Sequence, residues 1–368
     1  AVPLAVSHPR PELEYVVDDS EAAILVVAPE FEDRLRPIAE ERALPMITVD
    51  LARPEASRTL PTVDPGQRAM IIYTSGTTGK PKGVVTTHEQ IQAQITTLVS
   101  AWGWKPEDHI LHVLPLHHVH GIVNILLCAL WSGAVCEILP QFDADAVWNR
   151  MAHGDLTLFM GVPTIYSHLI SAWESLPEEE RQNASAGASR LRLMVSGSAA
   201  LPVGVLEKWK TITGHVLLER YGMTEIGMAL SNPLQGDRVP GYVGGPLPHV
   251  RVRVVDEKHD NPVDAGQPGE LQVKGPGVFL EYWHRPEVNA EEIRDGWLKT
   301  GDIGYLDDDG CLFLADRAKD MIIRGGENIY PIEIENELLE LDEVKEVAAI
   351  GVPNERLGEE VAVVIHLH

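Results

Sequence analysis

Apolar and polar positions follow two rhythms along this chain. From residue 12 to about 240, stretches with apolar residues every three or four positions take turns with short, mostly apolar runs such as 23-AILVVA-28, 69-AMIIYTSG-76, 109-HILHVL-114 and 192-RLMVS-196. A short apolar run without alternation is the mark of a strand covered on both faces, and its regular exchange with helices predicts a largely parallel sheet with covering helices. The pattern places strands over 23–28, 45–50, 69–76, 109–114, 135–139, 156–160, 192–196 and 215–219. Helices are expected over 30–42, 88–102, 121–131, 144–152 and 163–175, and from Pro202 to Gly214. The charged, then Ala/Ser-rich stretch 176–189 reads as a surface excursion.

Beyond residue 240 the period shifts toward two, in 249-HVRVRVVD-256 and 269-GELQVKG-275, with Gly, Pro and Asp between the runs. This predicts an antiparallel, β-rich section, and 307-DDDG-310 reads as a hairpin turn within it. After the charged link 316-DRAKD-320, a strand at 321–323, a helix at 331–341 and strands at 345–350 and 361–367 announce a small α+β unit. The expected class is α/β: a large domain over 1–316 with parallel-rich sheets, covering helices and a β-rich section, then the start of a small α+β domain over 317–368.

Composition narrows the function classes. A formal net charge of −25 over 368 residues argues against a general binder of nucleic acid or of anionic membranes. No apolar run approaches the roughly 20 residues that span a bilayer. The three cysteines, Cys128, Cys136 and Cys311, have no metal-ligand spacing and read as reduced thiols, so a cytoplasmic setting is expected.

The chemistry begins at 73-YTSGTTGKPKG-83, where glycines, hydroxyls and two lysines crowd into eleven residues. A Walker loop needs four residues between its glycines and a hydroxyl after its lysine. Here two residues separate Gly76 from Gly79, and Pro81 follows Lys80. Pro81 and Gly83 also disfavour an immediate helix, so the stretch reads as a strand-to-strand loop offering amides, hydroxyls and a lysine to a polyphosphate.

This loop resembles the phosphate-binding signature of the adenylate-forming superfamily: acyl-CoA synthetases, adenylation domains and luciferases. Further stations follow in that superfamily's order: 114-LPLHHVHG-121, 196-SGSAAL-201, 219-ERYGMTE-225, 301-GD-302, 316-DRAKD-320 and 325-GGENIYP-331. The resemblance implies that a carboxylate attacks the α-phosphate of ATP, releasing pyrophosphate, and that the acyl group then passes to the thiol of CoA. It implies that Thr74, Ser75, Gly76, Thr77, Thr78, Gly79 and Lys82 embrace the β- and γ-phosphates. Gly197, Ser198 and Ala199 would line the adenine and Tyr221 would stack on it. Thr224 would bond a phosphate, Glu225 would hold Mg2+, Asp302 would accept from both ribose hydroxyls, and Arg317 would reach the ribose or phosphates. His118 would shape the acyl entrance. Lys319 would be the hinge of a rotating small domain, and Gly325, Gly326 and Glu327 would approach the CoA arm.

Where most superfamily members carry a small or neutral residue before YGxTE, this chain has Arg220. A cation facing the acyl pocket suits an acid with a second carboxylate, which an arginine can grip in a bidentate pair. His117 and His120 add polar groups nearby, and Arg238 is a weaker second candidate. These features, and the longer context around them, are similar to the superfamily members that act on malonate or methylmalonate. The expected partners are a small dicarboxylic or short-chain acid, ATP and CoA, with Mg2+ as cofactor. Other readings are a different short- or medium-chain acyl-CoA synthetase, an adenylation domain loading a carrier protein, and a non-catalytic nucleotide-binding module. Superfamily members extend further at both ends and carry a later lysine used in adenylation, so weak or absent turnover by this chain alone is expected.

Overall fold

In the computed structural model, the described residues are 1–49, 61–74, 80–256, 260–317, 321–324, 327–339, 341, 343–354 and 358–367. The centre is a seven-stranded sheet, whose strands lie in the order Gly245–Pro246, Gly227–Ser231, Leu218–Met223, Leu193–Ser196, Leu158–Gly161, His109–His112 and Val135–Ile138. The five strands from Leu218–Met223 to Val135–Ile138 run parallel. Leu158, Phe159, Met160, Leu193, Met194 and Val195 are all 1 % exposed or less, as expected of strands sandwiched between helix layers. Helix Pro163–Ser175 ends where the apolar period predicts, and helix Val203–Thr213 begins after Pro202 and is closed by Gly214 at φ 78°. Their faces meet at Trp209, whose ring lies edge-on to Tyr166 and stacked on Trp148.

Among the described residues there are four other sheets. Strands Arg251–Val255, Gly269–Lys274, Ile293–Arg294, Trp297–Leu306 and Leu312–Arg317 form an antiparallel sheet in which 307–310 is the expected hairpin turn, with Gly310 at φ 77°. In the C-terminal part, Ile322–Arg324, Glu327–Ile329, Val344–Asn354 and Gly358–Leu367 make a four-stranded antiparallel sheet beside helix Pro331–Leu339. The α/β class of the chain stands.

Several sequence expectations need correcting. The run at 69–76 does not join the parallel sheet. Strand Arg68–Thr74 pairs antiparallel with Lys82–Thr87, while Leu25–Val27 and Met46–Thr48 form a separate two-stranded parallel sheet. The helix expected over 121–131 starts at His120 as a π-helix to Leu127, then tightens to an α-helix over Cys128–Ser132. The surface excursion over 176–189 is a helix, Glu178–Ala188, that buries Ala184, Gly187 and Ala188. Its small residues let it lie close against helix Ala144–His153: a Cβ on Gly187 would meet the Met151 carbonyl oxygen at 2.3 Å. A stripe of Ala and Gly carries little apolar signal, which is why periodicity passes over it.

Candidate active site

In an open α/β sheet the carboxyl ends of the parallel strands border the natural binding crevice. His112, Gly161 and Ser196 end three neighbouring strands there, and Arg220 extends from the next. Arg220 lies within strand Leu218–Met223, not after it. It is 3 % exposed, and no carboxylate lies within ion-pairing distance of it among the described residues. Its guanidinium rests on Gly197, where an added Cβ would come within 2.6 Å of the Arg220 Nε and Cζ atoms. Glycine at 197 is therefore what makes room for the cation.

A short hydrogen-bonded chain fixes the polarity of this corner. Arg220 Nη2 donates to Ser198 Oγ at 3.2 Å, and Ser198 Oγ lies 3.3 Å from His120 Nδ1. Guanidinium nitrogens can only donate, so the serine hydroxyl accepts from Arg220; in the arrangement where it passes its own proton to Nδ1, the proton of a neutral His120 sits on Nε2. Burial, with the neighbouring Arg220 charge, holds His120 well below the usual imidazole range and hence neutral. Two buried nitrogens, Arg220 Nε and His120 Nε2, then have no partner among the described residues. Such donors cost free energy unless a ligand or water satisfies them. Ser198 is itself exposed and held at φ 74°, so the corner opens to solvent beside it. His112 Nε2 and both amide atoms of the fully buried Asn124 likewise have no partner among the described residues. Burial draws His112 down to about 4.

His118 and His117 do not enter this chain. Their rings lie 4.2 Å apart, with His8 against His117. Arg238 is spent elsewhere, on the backbone carbonyls of Pro233, Val216 and Leu234.

The hairpin joining Leu218–Met223 to Gly227–Ser231 carries Thr224 and Glu225 at its turn, with Gly227 at φ 62°. Glu225 is 5 % exposed, and Tyr282 donates its hydroxyl to Glu225 Oε1 at 2.9 Å. Tyr221 donates to Asp302 Oδ2 at 2.5 Å, and the Arg317 backbone lies opposite Asp302 in the neighbouring strand. Among the described residues no cluster of three or more His, Cys, Asp or Glu side chains could hold a metal ion alone.

Strands Arg68–Thr74 and Lys82–Thr87 are in register at Thr74 and Lys82, so the 73–83 stretch joins two antiparallel strands. Ser75, Gly76, Thr77, Thr78 and Gly79 lie outside the described residues, as do Lys319, Gly325 and Gly326 and the side chains of Arg317 and Glu327. The two lysines of the loop diverge. Lys80 lies 5.4 Å over the Tyr15 ring, whereas Lys82 lies 4.2 Å over Tyr282, on the Glu225 side. Both flanks are tied to the helix Arg10–Asp19: Tyr15 donates to the Pro81 carbonyl, and Tyr73 and Arg285 both donate to the Asp19 carboxylate. Sequence reasoning passed over Tyr282, Asp19 and Arg285, because each earns its place through partners distant in the chain.

The chain is similar to several known proteins. The sequence is 45 % identical to the malonate–CoA ligase ACSF3, mitochondrial, of Bos taurus, over 100 % of this chain and 68 % of that protein. The human counterpart is 43 % identical, over 100 % and 70 %. The crystal structure of ATP-bound MatB from Rhodopseudomonas palustris superposes with a TM-score of 0.90 at 38 % identity, covering 99 % of this chain and 73 % of that one. A malonyl-CoA ligase ternary product complex with methylmalonyl-CoA and AMP bound gives 0.79 at 36 %, covering 100 % and 77 %. The sequence profile of the AMP-binding enzyme family matches residues 1–283, and the chain belongs to that family.

Proposed function

We propose that this protein is an ATP-dependent acid–thiol ligase that joins malonate, or methylmalonate, to CoA through an acyl-AMP intermediate. The observation that carries the choice of acid is Arg220, a buried cation without a carboxylate among the described residues, beside a neutral His120 whose Nε2 is unpartnered. The distal carboxylate of a short diacid would accept from Arg220 Nε and His120 Nε2 and pair with the guanidinium charge. A fatty acid would place methylene groups there and leave both donors unsatisfied.

The near carboxylate attacks the α-phosphorus of ATP and pyrophosphate leaves. The CoA sulfur then attacks the acyl carbon and AMP leaves. Thr74, Lys82 and Thr224, with the loop residues Ser75 to Gly79, are assigned to the departing phosphates, Tyr221 and Gly197 to Ala199 to the adenine, and Asp302 with Arg317 to the ribose. Glu225, together with the phosphates, would hold Mg2+, which would neutralise charge developing on the departing pyrophosphate. Lys319 is assigned to the hinge, the 325–327 stretch to the CoA arm and His118 to the acyl entrance, within the two-domain division at 316/317. The named relatives, ligases of malonate and CoA, support this reading. No helix among the described residues is long and apolar enough to cross a membrane.

The test is pyrophosphate release with ATP and a panel of malonate, methylmalonate, acetate and octanoate, followed by thioester formation with free CoA. Malonate or methylmalonate is expected to lead the panel. Preference for octanoate, or release of pyrophosphate with no CoA thioester formed, would refute the assignment.

A further inference from the structure

Tyr282 touches both charged groups assigned to the phosphates and their metal. Its ring lies beneath the Lys82 ammonium at 4.2 Å from the centroid, within cation–π range. Its hydroxyl donates to Glu225 Oε1 at 2.9 Å. The side chain is 4 % exposed and set edge-on against Phe279, so its ring has little freedom.

The backbone around it is pinned as well. Asn289 accepts from the Tyr282 amide and donates to the Tyr282 carbonyl. Strand Glu281–Tyr282 pairs with the Lys82–Thr87 strand, with Tyr282 opposite Val84. Three residues earlier, the Phe279 amide donates to the Glu225 carbonyl at 2.7 Å. The segment 279–282 therefore holds Glu225 by backbone and side chain together, and holds the strand from which Lys82 projects.

We infer that Tyr282 is the positioning residue that sets the Lys82 ammonium and the Glu225 carboxylate at a fixed separation for a magnesium–triphosphate group. This rests on the reading of Lys82 and Glu225 given above. The two contacts use different parts of one side chain, so they can be separated. Tyr282→Phe keeps the ring under Lys82 and removes only the hydroxyl. Tyr282→Leu removes both. A group that orients a metal ligand from behind commonly changes metal affinity 10- to 100-fold, whereas a cation–π contact acts on the ammonium whether or not metal is present.

The experiment is calorimetric titration of ATP into the protein, first in EDTA and then across a Mg2+ series, with thermal melting to confirm folding. For Tyr282→Phe, the EDTA dissociation constant is expected within about twofold of the parent, and the Mg2+ concentration giving half-maximal enhancement is expected to rise about tenfold. For Tyr282→Leu, the EDTA constant should also weaken, by about three- to tenfold. Parent-like Mg2+ dependence in Tyr282→Phe, or equal EDTA constants for the two variants, overturns the inference. Glu225→Gln and Lys82→Ala run alongside. If Glu225→Gln keeps the parent's Mg2+ dependence, or Lys82→Ala keeps its EDTA constant, both the site assignment and the inference fall. If both controls shift as assigned and Tyr282→Phe does not, only the inference falls.

Discussion

Replacing Arg220 by methionine should make this protein more stable and worse at its task. The guanidinium is 3 % exposed, and burial draws it from 12.5 down to about 9. At about 1.36 kcal/mol per pKa unit, that depression corresponds to a cost on the order of 5 kcal/mol for keeping the charge inside. Losing the bond to Ser198 returns about 1 kcal/mol, and the corner is open beside Ser198, so the net gain should lie near 1–3 kcal/mol. Methionine fills similar volume without charge, and for a chain of this length the melting temperature should rise by about 1–5 °C. Binding moves the opposite way. Truncating one partner of a buried, hydrogen-bonded charge pair costs about 2–5 kcal/mol, which is roughly 30- to several-thousand-fold in affinity. The assay pairs scanning calorimetry with pyrophosphate release over malonate and propionate concentrations, propionate being malonate with a methyl in place of the distal carboxylate. The malonate-to-propionate preference should collapse while the protein melts higher. A melting temperature several degrees lower, or a preference within about threefold of the parent, would refute the reasoning.

Two further outcomes test the framework around the site. Burial raises the Glu219 carboxyl to about 8 from its ordinary 4.5. The folded protein therefore keeps a proton that the unfolded chain gives up, and stability is lost as pH climbs from 4.5 through 8. Glu219→Gln should match the parent in urea unfolding near pH 4.5 and exceed it by about 2–4 kcal/mol at pH 8; an equal difference at both values would contradict this. Gly187→Ala should destabilise by about 3 kcal/mol, because its methyl would meet the Met151 carbonyl and the Ala152 Cα at 2.3 and 2.6 Å. Gly204→Ala, with nothing within 4 Å, should be neutral or stabilising by up to about 1 kcal/mol in the same denaturation series.

The sequence by itself determined what depends on neighbours in the chain. Short, mostly apolar runs marked the strands at 109–112, 158–161 and 193–196, since a strand covered on both faces holds few polar positions. Pro202 and Gly214 bounded their helix through backbone sterics alone, and 307–310 turned as its Asp and Gly residues require. The stations carrying Gly197, Arg220, Tyr221, Thr224, Glu225 and Asp302 were legible as short strings, because each string fixes its own local backbone. Tertiary structure decided what those strings meet. The pairing of Arg68–Thr74 with Lys82–Thr87, in place of the central sheet, depends on which edge each strand finds. The burial of Glu178–Ala188 depends on a neighbouring helix close enough to need glycine. Arg220 looks the same in sequence whether paired or unpaired, and only the packing of Gly197, Ser198 and His120 around it shows two buried nitrogens without partners among the described residues. Tyr282 lies 57 residues from the carboxylate it bonds, and Arg285 lies 266 from Asp19. Contacts at such separations leave no periodicity in the chain, because they form only when independently folded elements come together.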